Sequence, residues 1–414
     1  MVQQKLVSSE KTNEKENICR DEPELRFPEF KDKWKKEKIG EISKTYSGGT
    51  PSTSNKNFYI GNIPFIKSGE INSEETEQYI NEDAINNSSA KLVKKGDLLL
   101  ALYGATSGEV AISKLDGAIN QAVLKIDNEM DNVFQYNYFL KEKENIVHKY
   151  LQGGQGNLSS KIIKNLELYY PNINEQKKIA NFLLTIDKKI ELLEKKCDFL
   201  KEYKTGFIQK LRKGEINFKK DNKNYPKWEE IPLKDILYEH KLKSTGNEEV
   251  YSVSVHKGVV NQIEHLGRSF ATDDLSKYKL VKPGDIIYTK SPTAGFELGI
   301  IKQNKNDKNV LVSPLYGVFT PKNTYLGNYI DAYFESSINT RNYLHPIVQK
   351  GAKNTMNISN KVFLSRSLLL PVDFEEQKKI SDYINLINQK YEDSYNLCEN
   401  IKLIKKGLLQ KMFI

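Results

Sequence analysis

Arginine, cysteine and long hydrophobic runs are scarce in this 414-residue sequence. Only six of its 63 basic residues are arginine, and none lies between Phe27 and Leu211. The segment between these two residues therefore cannot form the bidentate contacts that a guanidinium group makes. The three cysteines, Cys19, Cys197 and Cys398, are too few for a disulfide framework, so we expect a reducing compartment, the cytoplasm.

The hydrophobic residues, 38% of the chain, are dispersed rather than concentrated. No run of about 18 apolar residues occurs, which predicts that no segment spans a membrane. Residues 1–26 are polar and lack the apolar core of a secretion signal, so we expect a mobile tail there. The net charge of +9 favours a polyanionic partner, although a solvated basic surface accounts for it equally well.

Sequence signatures of catalysis are missing as well. The chain has no G-x-x-x-x-G-K-[ST] loop, no G-x-G-x-x-G turn and no Asn/Asp-Pro-Pro-aromatic motif of adenine methyltransferases. The five histidines are scattered, which predicts no metal site. Asp373 and Glu376-x-Lys378 resemble a nuclease pattern, but their place at the start of a helix favours capping. The sequence thus predicts a chain that is not catalytic by itself.

Two related stretches, Glu175–Lys213 and Glu376–Ile414, dominate what is present. Both open with EQKKI, and an offset of 201 carries the first onto the second without a gap. Apolar residues recur in each at alternating spacings of four and three, which is typical of a coiled-coil helix. Because so narrow an apolar seam needs a partner, we expect the two helices to pair with each other. The predicted seam residues are Ile179, Leu183, Ile186, Ile190, Leu193, Cys197, Leu200, Ile380, Ile384, Ile387, Tyr391, Cys398 and Ile401.

Lys204 and Lys405 interrupt the two seams at the same heptad position. A lysine at such a position either fixes the helix register, marks the end of the packed region or docks a partner. Cys197 and Cys398 also occupy equivalent positions, and we expect packed, reduced thiols there rather than a disulfide.

The segments outside the long helices read as mixed α+β domains. In the first, strand-like pieces occupy Asn62–Lys67, Asp97–Gly104, Glu109–Ser113 and Gln121–Ile126, and Val133–Leu151 has helical spacing. The second repeats the first loosely: VKPGDIIY matches VKKGDLLL, and NISNK matches NLSSK. The predicted organisation is a tail (1–26), a first domain (27–170), a first long helix (171–213), a connector (214–224), a second domain (225–370) and a second long helix (371–414). Similar helices indicate a shared partner, whereas dissimilar domains indicate two different targets.

Several longer motifs occur in a fixed order and partly in duplicate. They are SGGTPS (Ser47–Ser52), GNIPFIKSGEI (Gly61–Ile71), KKGDLLLALYGATSG (Lys94–Gly108), AINQA (Ala118–Ala122), YSVSVHKGVV (Tyr251–Val260), KYKLVKPGDIIY (Lys277–Tyr288) and SPLYGVF (Ser313–Phe319). With these motifs and the duplicated EQKKI helices, the chain resembles the specificity (S) subunit of type I restriction–modification systems. The resemblance implies an α+β protein with two target-recognition domains. Two long helices would join them as an antiparallel coiled coil, with a pseudo-two-fold internal repeat.

The same resemblance implies a function. Each domain would read one half of a split, asymmetric site in double-stranded DNA. The helices would dock two methyltransferase (M) subunits, and endonuclease/translocase (R) subunits would complete the complex. S-adenosylmethionine, ATP and Mg would belong to those partners, so this chain would need no cofactor and no membrane.

Polar loops at corresponding places in the two domains are the candidate DNA contacts, because lysines bind phosphate and amides or hydroxyls read base edges. Turn geometry alone explains the glycine-containing loops equally well. The candidates in the first domain are Ser47, Gly48, Gly49, Thr50, Lys67, Tyr103, Thr106, Ser107, Gln152, Gln155 and Asn157. The candidates in the second domain are Arg268, Lys290, Thr293, Arg341, Lys350, Lys353 and Asn354, with the two arginines as possible guanine readers.

Two other functions are compatible with the sequence. One is an enzyme with a diverged active site, which methyl transfer by the chain alone would reveal. The other is a coiled-coil adaptor whose domains bind protein partners without reading DNA. Salt-dependent, sequence-selective binding of duplex DNA by the complex would exclude the adaptor.

Overall fold

The computed structural model describes residues 22–150, 157–267, 275–350 and 356–414. Of the predicted DNA contacts, Gln152, Gln155, Arg268, Lys353 and Asn354 lie outside the described residues, as do residues 1–21 of the predicted tail. The chain divides into two compact units. The first comprises Met1–Leu192 and Cys398–Ile414, and the second comprises Leu193–Leu397.

The first unit contains mostly short strands with a few helices. In chain order they are β1 (Lys35–Lys38), α1 (Ile39–Ile42), β2 (Lys44–Ser47), β3 (Ile63–Ile66), β4 (Tyr79–Ile80), α2 (Glu82–Asn86), β5 (Lys91–Val93), β6 (Leu98–Ala101), β7 (Val110–Ile112), β8 (Gly117–Ile119), β9 (Val123–Asp127), α3 (Asn132–Tyr150), α4 (Ser160–Lys164), β10 (Glu167–Tyr170) and the start of α5 (Ile173–Arg212). One antiparallel sheet has the order β2-β9-β6-β7. A second sheet has the order β4-β3-β8-β5, in which β3 and β8 are parallel.

Strand β6 shows why this unit has two layers of core. All four of its residues are buried, as expected for a strand covered on both faces. Leu98 and Leu100 pack in a cluster with Phe134 of α3. Leu99, on the opposite face, packs with Ile119 of the second sheet. The continuous LLL run therefore reflects burial on both faces rather than a helix.

The second unit repeats the frame of the first. Its elements, after the end of α5, are β11 (Lys219–Lys220), β12 (Lys223–Asn224), β13 (Glu229–Pro232), β14 (Leu237–Glu239), β15 (Tyr251–Ser254), β16 (Gly258–Asn261), α6 (Gln262–Leu266), β17 (Lys279–Val281), β18 (Ile286–Tyr288), β19 (Ile301–Gln303), β20 (Val310–Val312), β21 (Gly317–Pro321), α7 (Thr324–Phe334), α8 (Ser337–Leu344), β22 (Gln349–Lys350), β23 (Met356–Asn357), α9 (Asn360–Ser365), β24 (Ser367–Leu370) and the start of α10 (Phe374–Met412). Its antiparallel sheet has the order β14-β21-β18-β19, which matches β2-β9-β6-β7 element by element. The predicted mixed α+β fold with an internal repeat is confirmed.

The turn before the central strand is the same in both units. Gly96 and Gly284 have φ values of +97° and +85°, a region that glycine adopts without steric cost. Asp97 Oδ2 accepts a hydrogen bond from the Lys94 amide at 2.7 Å, and Asp285 Oδ2 accepts one from the Lys282 amide at 2.8 Å. The repeated K-x-G-D motif therefore encodes one turn twice.

The two long helices, α5 with 40 residues and α10 with 39, begin as the sequence predicts. Asn172 Oδ1 accepts a hydrogen bond from the Glu175 amide, and Asp373 Oδ1 accepts one from the Glu376 amide, both at 3.1 Å. These side chains satisfy amides that the first helical turn leaves unpaired. Capping thus explains Asp373 without a nuclease site.

Each unit contains its own portion of the paired helices. In the first unit, Ile179 and Leu183 near the start of α5 pack in one cluster with Leu409 and Met412 near the end of α10. In the second unit, the end of α5 packs with the start of α10. Within each unit the pairing is antiparallel, as predicted. Among the predicted seam residues the buried ones are Ile179, Leu183, Leu193, Cys197, Leu200, Ile380, Ile384, Ile387 and Cys398, and the half-buried ones are Ile186, Ile190, Tyr391 and Ile401.

The seam lysines have polar partners within their own units. Lys405 Nζ lies 2.5 Å from Asp187 Oδ1 in the first unit. Lys204 Nζ lies 2.7 Å from Asn388 Oδ1 and 2.5 Å from Glu335 Oε2 in the second. Asp187 and Asn388 are related by the same offset of 201 as the lysines. A polar contact at one heptad position in both units favours the interpretation that these lysines fix the helix register.

Within the described ranges, no helix is long and apolar enough to cross a membrane. The same residues contain no cluster of three or more His, Cys, Asp or Glu side chains that could hold a metal ion. Cys197 and Cys398 are buried, and Cys398 Sγ lies 3.9 Å from the carbonyl oxygen of Ile190.

Candidate nucleic-acid interface

The strand order of the first unit collects several predicted contact loops at one edge of a sheet. Strands β2 and β6 end at the edge where β9 and β7 begin, because neighbouring strands in this sheet are antiparallel. We call this the first loop edge. It comprises Gly48–Thr50, Ser89–Lys91, Tyr103–Ser107, Asn120–Gln121 and Asn157–Leu158, together with Lys67.

Hydrogen bonds tie these loops together. Thr50 Oγ1 donates to Gln121 Oε1 at 2.6 Å. The Leu102 amide donates to the Ala122 carbonyl, and the Leu158 amide donates to the Leu102 carbonyl, both at 2.8 Å. The structure therefore brings together three predicted segments that are far apart in the sequence: Ser47–Thr50, Tyr103–Ser107 and Asn157.

Lys67 reaches the same edge from the second sheet. It follows Ile66, which pairs with Ile119 in the parallel β3–β8 ladder, so it lies beside Asn120. Its side chain is half-buried, and Nζ is 3.5 Å from a carboxylate oxygen of the exposed Glu77. An exposed ion pair of this length is weak and leaves the lysine able to bind an anion.

Some of the predicted residues have a structural role at this edge. A Cβ atom at Gly48 would lie 1.7 Å from the carbonyl oxygen of Ile119, and one at Gly49 would lie 2.4 Å from Ser89 Oγ. Glycine is therefore required for close packing at Gly48. Ser107 Oγ donates to the Leu102 carbonyl at 2.8 Å, which holds its own loop. Of the other predicted residues here, Thr50, Tyr103 and Asn157 are exposed, and Ser47 and Thr106 are half-buried.

The second unit has an equivalent edge, where β14 and β18 end and β21 and β19 begin. The predicted residues Lys290 and Thr293 lie there, in the loop between β18 and β19. Thr293 is exposed, and its amide donates to the Phe296 carbonyl at 3.1 Å. Lys290 has a φ of 61° and packs against Gly299, where a Cβ atom would lie 2.7 Å from the Lys290 amide nitrogen.

At this second loop edge, the charges of three other lysines act on Lys279. Burial lowers the pKa of Lys279, the carboxylate of Glu239 raises it, and the like charges of Lys290, Lys241 and Lys243 lower it. Lys279 Nζ also donates to the Tyr316 carbonyl at 2.5 Å. We call Lys241, Lys243, Lys279 and Lys290 the lysine cluster. A bound anion would relieve the repulsion that acts on Lys279, so this cluster is suited to phosphate.

Arg341 and Lys350 are the remaining predictions in this unit. Arg341 is exposed on α8, beside Asn342 and Tyr343, whose carbonyl oxygens accept hydrogen bonds from Arg366 Nη1 at 2.9 and 2.7 Å. No hydrogen bond or ion pair found within the described ranges connects Arg341 to the lysine cluster. Lys350 lies in β22, and its side chain is outside the described part of the structure.

Comparison with known proteins shows which proteins this chain resembles. Residues 31–202 match the family model described as the type I restriction modification DNA specificity domain. The MjaVIII specificity subunit of a type I restriction enzyme from Methanocaldococcus jannaschii is 26% identical over 412 residues, covering 93% of this chain and 92% of that protein. The EcoR124I/EcoR124II specificity subunit from Escherichia coli is 27% identical over 205 residues, covering 44% of this chain and 50% of that protein. The chain is similar to type I specificity subunits, in the first case over nearly the whole length of both proteins.

Two solved structures share the fold of this chain. The S subunit of a type I restriction–modification system from M. genitalium has a TM-score of 0.59 at 16% identity, covering 95% of this chain and 99% of that one. A chain in a solved structure described as the basis of complex assembly and conformational transition of the type I R-M system has a TM-score of 0.51 at 14% identity. The match covers 92% of this chain and 97% of that one. The resemblance inferred from the motifs is confirmed.

Several residues at the two loop edges were not predicted from the sequence. In the first unit they are Ser89, Lys91 and Gln121, and in the second they are Lys241, Lys243 and Lys279. Two signals could have found some of them. The tripeptide Lys-Leu-Val begins at both Lys91 and Lys279, and Gln121 belongs to the AINQA motif that joins two strands.

Proposed function

We propose that this chain is the DNA-reading subunit of a type I restriction–modification complex, with each globular domain reading one half of a split, asymmetric site. One observation carries the proposal. The same strand order presents a loop edge in each unit, and the two edges carry different side chains. A duplicated frame with unlike reading residues is what an asymmetric site requires.

The two edges favour different contacts. At the first, Lys67 and Lys91 would bind phosphate, while Thr50, Gln121 and Asn157 would read base edges, since amides and hydroxyls match base donors and acceptors. At the second, the four-lysine cluster would bind phosphates along one strand. A phosphate contact sets position, and a base contact sets sequence.

The long helices would dock two methyltransferase subunits. Large apolar side chains remain exposed on both of them, and apolar residues that group together on a surface mark sites where a protein partner binds. In the first unit these are Phe182, Leu184, Leu192, Leu403 and Ile404, and in the second they are Phe199, Tyr203, Leu386, Tyr395 and Leu397. Endonuclease/translocase subunits would join the same complex.

Catalysis would belong to those partners, and so would S-adenosylmethionine, ATP and Mg. Because a methyltransferase must flip its target base out of the duplex, this chain would act by placing the partner over the correct base pair. At about 1.5 Å per residue, a helix of 40 residues is about 60 Å long. We expect that length to set the spacer between half-sites, which lie about one helical turn of DNA (~34–36 Å) apart when read from one face.

Mapping methylated adenines tests the proposal. The chain is produced together with its methyltransferase subunits in a host that lacks this system, and the modified sites are read from the genome. We expect two short, different half-sites separated by a spacer of fixed length and unspecified sequence. A short palindrome would contradict the proposal.

Salt dependence separates DNA reading from the adaptor function. Binding of the complex to its duplex should weaken with salt, with log affinity falling by about 0.9 per phosphate contact for each unit of log salt concentration. Binding of protein partners alone, with no preference between the methylated motif and an unrelated duplex, would instead support an adaptor.

A further inference from the structure

The loop that joins β20 to β21 presents an apolar side chain at the second loop edge. Leu315 is 75% exposed, the largest exposed fraction of any large apolar side chain in the described part of the chain. A single exposed leucine is common on protein surfaces and indicates nothing by itself. Its setting is what distinguishes it.

Hydrogen bonds on both sides of Leu315 fix the conformation of this loop and hold the Leu315 side chain outward. The Leu315 amide donates to Ser313 Oγ at 3.3 Å, and the Tyr316 amide donates to the Ser313 carbonyl at 3.1 Å. Pro314 restricts the backbone between them. Tyr316 is partly buried against the β-strand core, and its carbonyl accepts the Lys279 hydrogen bond at 2.5 Å.

That last contact places Leu315 beside the lysine cluster. Lys279 is bonded to the residue next to Leu315, and the charges of Lys290, Lys241 and Lys243 act on Lys279. An exposed leucine beside several ammonium groups is complementary to a partner that carries both anionic groups and an accessible apolar group. Double-stranded DNA has both, in its phosphates and in the 5-methyl group of thymine, which faces the major groove.

The corresponding loop of the first unit differs in chemistry. It joins β8 to β9 and carries Asn120 and Gln121, and the Gln121 side chain accepts a hydrogen bond from Thr50. Amide side chains read adenine by paired hydrogen bonds, whereas aliphatic side chains contact the thymine methyl group. The two equivalent tips are therefore suited to different bases.

We propose that Leu315 contacts the 5-methyl group of one thymine in the half-site read by the second domain. This inference rests on the proposed function and adds to it the chemical group that this loop recognises. The neighbouring lysines bind the phosphate backbone of the DNA, and Leu315 distinguishes thymine from the other bases by apolar contact with its methyl group.

Replacing thymine with deoxyuridine tests the contact, because this change removes only the methyl group. The complex of the full chain with its methyltransferase subunits is titrated with duplexes that contain the methylated motif. In each duplex a single thymine of the second half-site, on either strand, is replaced. We expect wild-type binding to weaken about fourfold at one position. The Leu315→Ala complex should bind the unmodified duplex about fourfold more weakly and show no further loss at that position.

Two variants serve as controls. Leu315→Met keeps an apolar contact and should retain sensitivity to deoxyuridine. Ile338→Ala removes an apolar side chain that is 65% exposed on α8 of the same unit, and it should behave like wild type. Thermal melting of the free chains should be unchanged in all three variants, because both side chains are exposed.

Equal deoxyuridine effects in wild type and Leu315→Ala at every position would overturn this inference, as would a second half-site without thymine on either strand. Those results leave sequence-selective binding intact and contradict only the role of Leu315. Failure of the wild-type complex to prefer its motif over an unrelated duplex would instead contradict the proposed function, and this inference with it.

Discussion

The two long helices begin with equivalent buried glutamates, but among the described residues only the first of these glutamates has a cationic partner. Arg26 Nε and Nη2 lie 2.7 and 2.8 Å from the two carboxylate oxygens of Glu175, a bidentate pair. Glu376 is 3% exposed, and its Oε2 has no hydrogen-bond partner among the described residues. The two copies therefore share a buried glutamate, but an arginine pairs only with the glutamate of the first copy.

Edge-to-face aromatic packing occurs near the start of both long helices. Phe27 packs edge-to-face on Phe182, and Phe218 packs in the same way on Tyr383, with ring centroids 5.8 and 6.4 Å apart. Phe182 and Tyr383 are related by the helix offset of 201. Asn217, which precedes Phe218 as Arg26 precedes Phe27, is exposed, and its side chain donates to the Gly214 carbonyl at 3.1 Å. The difference teaches that the repeat conserves apolar packing more closely than charge.

Loss of the paired arginine should have the largest effect. Arg26→Met leaves the Glu175 carboxylate buried without a cation, and breaking such a pair costs about 3–5 kcal/mol. Denaturant unfolding should reveal this as a lower stability of the first unit. Asn217→Ala, next to Phe218 in the second unit, is the control and should change stability by less than about 0.5 kcal/mol. Equal effects of the two changes would break the comparison.

The seam lysines offer a second contrast. Asp187→Asn leaves Lys405 with an amide partner, as Lys204 has in Asn388, but without a second carboxylate such as Glu335. We expect a loss of about 1.5–3 kcal/mol in the unfolding free energy, the usual range for a hydrogen bond to a charged group. Asn388→Asp should change stability little, because Glu335 already neutralises Lys204. A larger effect from Asn388→Asp than from Asp187→Asn would refute this contrast.

Glu376, which has no cationic partner among the described residues, predicts that the stability of the second unit depends on pH. Burial raises the pKa of Glu376, the Trp228 hydrogen bond lowers it, and the negative charge of Asp373 raises it. Because the folded-state pKa exceeds the unfolded one, protonation favours the folded state, and stability should fall as pH rises through the interval between the two pKa values. Glu376→Gln should flatten this dependence and stabilise the second unit by about 1 kcal/mol at neutral pH. Chemical unfolding at a series of pH values measures both, and an unchanged pH profile would count against the raised pKa.

The smallest expected effect concerns DNA. Lys91 begins β5 and Lys279 begins the equivalent strand β17. Of the two, Lys279 donates a hydrogen bond to the carbonyl of Tyr316 in a neighbouring loop. Lys91→Gln should lower the salt slope of binding by about 0.9, the loss of one phosphate contact, without altering the methylated sequence. Binding titrations at several salt concentrations, with Lys279→Gln for comparison, measure the slope. An unchanged slope for Lys91→Gln would remove Lys91 from the phosphate contacts.

Local patterns were sufficient to predict much of the fold. The heptad spacing predicted the helix pairing, because a coiled coil depends on residues within one or two turns. Alternating and continuous apolar runs predicted β3, β6, β7 and β9, and the cap residues Asn172 and Asp373 marked the helix starts. These features depend on neighbours in sequence, which a single chain reveals.

Long-range contacts could not be predicted in this way. The parallel pairing of β3 with β8 joins Ile66 to Ile119, and no local pattern fixes that register. The lysine cluster forms only when the strands bring Lys241, Lys279 and Lys290 to one edge. The predicted loops Ser47–Thr50 and Tyr103–Ser107 were found from family motifs, whereas Arg341 was chosen by residue type and lies elsewhere. Residue type alone did not identify position.

Exchange of one domain tests the central claim most directly. Residues 27–170 are replaced by the corresponding domain of a type I specificity subunit, and methylated adenines are mapped before and after the exchange. If the two loop edges read separate half-sites on one duplicated frame, one half-site should change while the other half-site and the spacer length stay the same. A change in both half-sites, or in neither, would contradict the account.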